Sequence, residues 1–350
     1  MHRMATLLLI SLLLAACGSE PPTARPAPEW TSLNTGLHAS CRGLAASSAM
    51  AVIGGAGGAL AVSRDHGLSW RMAAPAGSDS LDFRDVAVLD DATIIAMSAG
   101  PGQRSRIYRS TDGGATWTER HRNREGEGFL NAVAFWDAQR GLAVGDPIGL
   151  GLFQVLLTDD GGRTWRQLPD TLSPQAVAGE YGFAASGTNL VTAGQHHAWI
   201  GTGGGAARVL RSVDGGRTWQ VAGTPLPSGS AGAGVFSLAF ADTLRGIAAG
   251  GDYQRPDSAA TTIALTDDGG RTWRAVAGSE GLGYRSGSAW IANGEEGRLV
   301  TVGPGGTAMS TDGGDTWSVI DRTGYHAVTA GDGGTAWVTG AAGRAARVTW

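Results

Sequence analysis

The sequence predicts an all-β ring of seven repeated sheets, and three observations carry that expectation. One eight-residue motif ending in Trp recurs six times, its copies lie about one four-stranded sheet apart, and the composition suits strands and tight turns. Gly supplies 57 of the 350 residues and charged side chains only 17%. That balance favours many short strands joined by turns over helices.

The motif is Ser/Thr-x-Asp-x-Gly-x-Thr/Ser-Trp. It runs from Ser63 to Trp70, Ser110 to Trp117, Thr158 to Trp165, Ser212 to Trp219, Thr266 to Trp273 and Ser310 to Trp317, with Trp-to-Trp spacings of 47, 48, 54, 54 and 44. This period fits one four-stranded blade of a β-propeller. Each residue type has a role in a hairpin turn. The carboxylates of Asp65, Asp112, Asp160, Asp214, Asp268 and Asp312 can accept backbone N–H bonds inside the turn. The Gly supplies positive φ, the hydroxyl closes the loop, and the Trp opens the outer strand and packs a large ring between blades. A strand precedes each turn, as in 106–109, 154–157, 209–211 and 262–265, and a short strand follows, as in 165–168 and 317–320.

The ring closes by combining the two ends of the chain. Trp30-Thr31-Ser32-Leu33 repeats the outer-strand pattern without its turn, and Tyr325 to Trp350 holds three strand-like runs without the motif. Together they make a seventh, composite blade. The propeller is therefore expected over residues 29–350, closed by the N-terminal strand.

Residues 1–17 read as a targeting segment. His2 and Arg3 form a basic start, Ala5 to Leu14 an apolar run too short to span a bilayer, and Leu14-Ala15-Ala16-Cys17 resembles the bacterial lipobox. The resemblance implies a lipidated Cys17 anchoring the protein to a membrane, stably only with more than one acyl chain; an ordinary secretory signal cut near Ala16 is the alternative. The Pro-rich polar stretch 18–28 then reads as a flexible tether. Enterobacterial sorting, with no Asp after the Cys, favours the periplasmic side of the outer membrane, with the cell surface as the other possibility. Cys41 is then a lone thiol, expected as a small buried apolar residue.

The six motif copies resemble the Asp-box (BNR) repeat family, found in sialidases, sortilin-type receptors and photosystem II stability/assembly factors. The resemblance covers nearly all of 29–350. It implies a propeller with its Asp boxes on the face away from the ligand; because the repeat serves enzymes, receptors and assembly factors alike, it leaves function open.

Several chemistries are excluded or disfavoured. All 27 basic residues are Arg, so no Schiff-base Lys, P-loop Lys or Ser-Lys pair exists. A net charge of -4 gives no electrostatic case for nucleic acid. The Asp boxes lack the terminal Glu of a Ca²⁺ loop. Gly54 to Gly58 and Gly201 to Gly205 mimic dinucleotide-binding glycines, but each run leads into another strand rather than a helix. His196 and His197, neighbours in a strand, face opposite ways and cannot easily share a metal. No cofactor and no metal are expected.

A ligand site is expected at one end of the central channel, lined by loops leading into the innermost strands and loops between the second and third strands. The former share an aromatic-plus-polar signature: Phe83-Arg84-Asp85, Phe129-Leu130-Asn131, Tyr181-Gly182-Phe183, Phe236-Ser237, Tyr284-Arg285-Ser286 and Tyr325-His326. The latter offer Gly145-Asp146-Pro147 and 251–256. Arg84, Asp146, Glu180, Tyr253, Arg255, Arg285 and His326 are the candidate binding residues, suited to an anionic or carbohydrate-like group. The opposing reading packs the aromatics between blades and leaves the Arg side chains solvated.

Two functional classes remain. A sialidase-like exo-glycosidase needs three Arg on a carboxylate, a Tyr-Glu nucleophile pair, an Asp acid and a Phe/Tyr-Arg-Ile-Pro motif. Only Arg106-Ile107-Tyr108 approaches that motif, Glu180-Tyr181 is the one adjacent Glu-Tyr pair, and sialidase propellers have six blades. Two placed carboxylates could still serve another glycosidase. An oxidoreductase reading has no cofactor fingerprint behind it. A non-enzymatic, envelope-anchored binding or assembly factor for a protein or polysaccharide, similar to the photosystem II stability/assembly factors, fits better. No catalytic residue is assigned, and a monomer is expected.

Overall fold

The computed structural model describes residues 27–124, 126, 128–293 and 296–350. The leader, Cys17 and the tether up to residue 26 lie outside the described residues. Seven antiparallel sheets form a seven-bladed β-propeller. Blade 1 comprises Cys41–Ala46, Ala51–Gly55, Leu60–Ser63 and Arg71–Met72. Blade 2 comprises Phe83–Val88, Ile94–Ser98, Arg106–Ser110 and Thr118–Arg122. Blade 3 follows with Leu130–Phe135, Gly141–Ile148, Leu152–Thr158 and Arg166–Gln167, and blade 4 with Leu190–Ala193, His197–Gly201, Arg208–Ser212 and Gln220–Gly223. Blade 5 is Ala233–Phe240, Gly246–Asp252, Ile263–Thr266 and Arg274–Ala275. Blade 6 is Gly287–Asn293, Glu296–Gly303, Gly306–Ser310 and Ser318–Asp321.

Blade 7 joins Ala327–Ala330, Ala336–Thr339 and Ala345–Thr349 to Glu29–Ser32 at the outer edge. The N-terminal strand pairs antiparallel with the third strand, Glu29 opposite Thr349 and Ser32 opposite Ala346, and the Trp30 ring stacks on Tyr325 at 5.9 Å. The composite seventh blade is thus as the repeats predict. Because the third strand of every blade runs toward the Asp-box face, its antiparallel partner starts there. Glu29 therefore enters the ring from the Asp-box side.

The core is distributed between blades. Val52, Leu60 and Val62 of blade 1 pack against Phe83, Val86 and Ile94 of blade 2, and comparable clusters fill the other junctions. A sheet covered on both sides needs apolar residues on both faces, so its strands read as runs rather than alternations. Ile94-Ile95-Ala96-Met97, buried throughout, is such a run.

The six turns share one hydrogen-bond pattern. In blade 3 the Gly162 N–H donates to Thr158 Oγ1 at 2.9 Å, and that hydroxyl donates to Asp160 Oδ1 at 2.9 Å. Asp160 also accepts from the Thr164 N–H at 2.9 Å and the Thr164 hydroxyl at 2.6 Å. In Asp160, Asp268 and Asp312 burial opposes ionisation, yet these bonds outweigh it and hold the carboxyl at about 2. The motif Gly, two residues after the Asp in each box, abuts the preceding blade: a Cβ on Gly162 would meet Ile95 of blade 2, and one on Gly216 Leu157 of blade 3. The Trp rings are half-buried rather than enclosed, because they flank the turn at the rim of the blade junction. No described helix is long and apolar enough to cross a membrane.

A candidate binding cavity at one end of the channel

Each innermost strand begins at the face opposite the Asp boxes, and four of them start with a register shift. The shifts fall at Arg42, Arg84, Asn131 and Phe236. A bulge re-aims one side chain while the strand continues. Arg42, Arg84 and Phe236 consequently line a cavity of about 530 Å³ at this end of the ring, shared with Phe129, Asp146, Tyr181, Phe183, Tyr253, Tyr284, Ser286 and His326.

The floor is a segment of the chain itself. Residues 182–188, between a short strand at Glu180–Tyr181 and blade 4, reach several blades at once. Arg42 donates to Ala185 O at 3.0 Å, and Arg84 to Ala184 O at 3.2 Å. The Ser186 hydroxyl donates to Ser286 O of blade 6 at 2.7 Å, and Thr188 bonds Ser237 of blade 5 at 2.7 Å. Gly187 lies so close to the Asp85 carboxylate that a Cβ there would overlap it. The segment stoppers the channel beneath the cavity.

One wall is aromatic. Phe183 and Phe236 stack at 3.7 Å, Tyr284 meets Phe236 edge-on at 4.7 Å, and Tyr181 meets Phe183 at 5.4 Å. Tyr253 stands at the rim, 6.1 Å from Phe236. Two guanidinium groups, Arg42 and Arg84, line the same cavity. Arg84 also donates to Asp82 at 2.7 Å. His326 sits beside Arg42, and burial together with that guanidinium pushes its pKa down to about 4, so it is neutral at pH 7. Asp146 accepts from the Gly182 N–H at 3.0 Å and Asn131 Nδ2 at 3.2 Å, and burial pushes it up to about 6.

Of the seven sequence candidates, the structure gathers Arg84, Asp146, Tyr253 and His326 around the cavity and places three elsewhere. Glu180 is turned from its neighbour Tyr181 into the protein, where it accepts from Arg208 Nε at 2.8 Å and from the Thr202 hydroxyl at 2.5 Å. It holds two added short strands, Glu180–Tyr181 on Gly203–Gly204, against the inner edge of blade 5, whose sheet they extend to six strands. Arg285 is buried and donates to the carbonyls of Leu282, Gly283 and Gly306. Arg255 pairs with Asp252 at 2.9 Å and is 70% exposed, outside the cavity. Arg42 was not among the candidates; its place after Cys41 matches that of Arg84 after Phe83, but Cys41 lacks the aromatic ring that marks the other loops. Cys41 itself is buried, its thiol pushed up to about 11 by burial. Among the described residues no three His, Cys, Asp or Glu side chains gather closely enough to hold a metal.

Fold and turns together define an Asp-box β-propeller with a stoppered channel and a mixed aromatic and charged cavity on the face away from the boxes. The family model of the BNR/Asp-box repeat matches residues 108–119, the second of the six turns. No curated protein matches the sequence. Among solved structures, YCF48 from Cyanidioschyzon merolae superposes with a TM-score of 0.63 at 16% identity, covering 92% of this chain and 98% of that one. The WD40 propeller domain of Doa1 gives 0.61 at 13% identity, with 91% and 95% covered. An ancestral GH74 enzyme gives 0.56 at 16% identity over 82% of this chain, which spans only 38% of that enzyme. At these identities the likeness is one of fold.

Proposed function

We propose that this protein is a non-enzymatic binding or assembly propeller that holds a segment of a protein partner in the channel-end cavity, tethered to the bacterial envelope through Cys17. One observation carries the reading: the cavity is large enough for one or two side chains, is walled by aromatic rings and has charged groups at fixed positions. A concave, largely apolar site with a few convergent polar groups is the usual form of a ligand site. Photosystem II assembly factors, among which YCF48 is counted, share this fold and support the comparison at the level of general role. The anchor rests on the sequence of residues 1–17.

A glycosidase reading is weaker on the geometry. Acid and nucleophile, or acid and base, need two carboxylates facing one bond, and Asp146 is the single carboxylate lining the cavity. Glu180, the other candidate, is consumed by Arg208. The test is photo-crosslinking in intact envelopes with a reactive residue at Tyr253, on the cavity rim, or at Leu68, on the Asp-box face. The expected result is a discrete adduct from position 253 alone. Equal labelling from both positions, or hydrolysis of aryl glycosides that Asp146→Asn abolishes, would overturn the reading.

A further inference from the structure

The cavity's two charged sides are not equally available. Arg42 and Arg84 face it, but each donates to a carbonyl of the channel stopper, and Arg84 is also neutralised by Asp82. Arg42 keeps N–H groups beyond the one given to Ala185, so an anion at these guanidinium groups is the rival occupant that the test must separate. Asp146 is the reverse case. Only its Oδ1 is engaged, by Gly182 and Asn131; among the described residues no guanidinium pairs with it, and Oδ2 takes no hydrogen bond. It stands in the cavity lining with Tyr181, Phe183, Phe236 and Tyr253, rings whose faces carry negative potential and attract cations. A half-buried carboxylate without a counter-charge carries a desolvation cost, and that partial burial pushes its pKa up to about 6. An incoming cation would relieve that cost and be favoured by the same rings.

We propose that Asp146 and the aromatic wall form a receptor for a basic side chain, Lys or Arg, presented by the protein partner. The proposal rests on the reading of the cavity as a partner site and names the group it takes. The aliphatic stem of such a side chain would lie along Phe183 and Phe236, its head group would reach Oδ2, and Tyr253 would close over it from the rim. Arg42 and Arg84 would serve chiefly to fasten the floor.

The test is ligand-observed NMR on the purified full chain with two probes, N-acetyl-lysinamide and N-acetyl-glutamate. The lysine probe should bind and the glutamate probe should not. Asp146→Asn, which keeps an oxygen to accept from Gly182 and Asn131, should weaken the lysine probe at least tenfold while leaving the thermal midpoint near that of the parent. Tyr253→Ala should weaken it severalfold. Preferential binding of the glutamate probe, lost in Arg42→Gln, would overturn the proposal while leaving the cavity as a partner site. Binding of neither probe would overturn it as well, and the envelope crosslink at position 253 would then decide separately whether the cavity is a partner site at all.

Discussion

Among single residues, Asp85 has the sharpest consequence. Its carboxylate is enclosed at the channel wall; burial raises its pKa to about 7 against the opposing pull of the Val133 and Val86 N–H groups, at 2.7 and 2.8 Å. The folded-state value lies above that of an ordinary Asp, so folding takes up a proton between about pH 4 and pH 7, and stability from this group falls as pH rises through that window. Neutral His326 acts with the opposite sign below about pH 6.5. The readout is therefore the difference between parent and Asp85→Asn: the thermal midpoint of the parent should drop relative to the variant between pH 5 and pH 7.5. Parallel curves would refute the assignment. This residue stands inside one of the aromatic-plus-polar triplets, yet sequence gives no sign that Arg84 turns to the cavity and Asp85 inward. That depends on the bulge. In blade 6, where the pairing of the first strand runs without a shift, Tyr284 faces the cavity and Arg285 is buried, whereas in blade 7, also without a shift, His326 faces it and Tyr325 stacks on Trp30.

Among elements, the turn and its blade were legible from the primary structure because the information is local. Ser/Thr, Asp, Gly and Trp recur at fixed offsets, and the hydroxyl, carboxylate and Gly make the same contacts in all six turns, whereas Trp165 and Trp273 leave Nε1 buried without a hydrogen bond. The motif Gly combines positive φ with close approach, so Gly162→Ala, at φ +75 with Ile95 2.8 Å from the new Cβ, should cost at least about 1 kcal/mol in chemical denaturation. Trp165→Ala should cost about 2 kcal/mol, below the full penalty for an enclosed ring, because the indole is half-buried against Phe135, 6.0 Å away. The added strand Glu180–Tyr181 is not legible as such: two residues long, it has no periodicity to read, its partner Gly203–Gly204 lies beyond two strands of blade 4, and its Glu belongs to an ion pair with Arg208, 28 positions further on. Breaking that pair leaves a largely buried guanidinium with only the Gln175 carbonyl and no counter-charge, so Glu180→Gln should lower stability by about 3 kcal/mol without changing the affinity of the cavity. A binding defect as large as the stability defect would contradict this.

At the scale of the whole molecule, the ring is held shut by four residue pairs of the N-terminal strand and by Trp30 on Tyr325. Deleting residues 29–32 should expose the edge of blade 7 and replace one cooperative thermal transition by a broad one at lower temperature, as followed by circular dichroism. An unchanged transition would mean that blade 7 is stable with three strands. The same strand has a directional consequence. Its first residue lies on the Asp-box side, and the cavity mouth opens on the other. If Cys17 carries a lipid as proposed, the tether would join the disc on its Asp-box side, leaving the cavity mouth on the face away from the point of attachment and open to segments presented by neighbouring proteins.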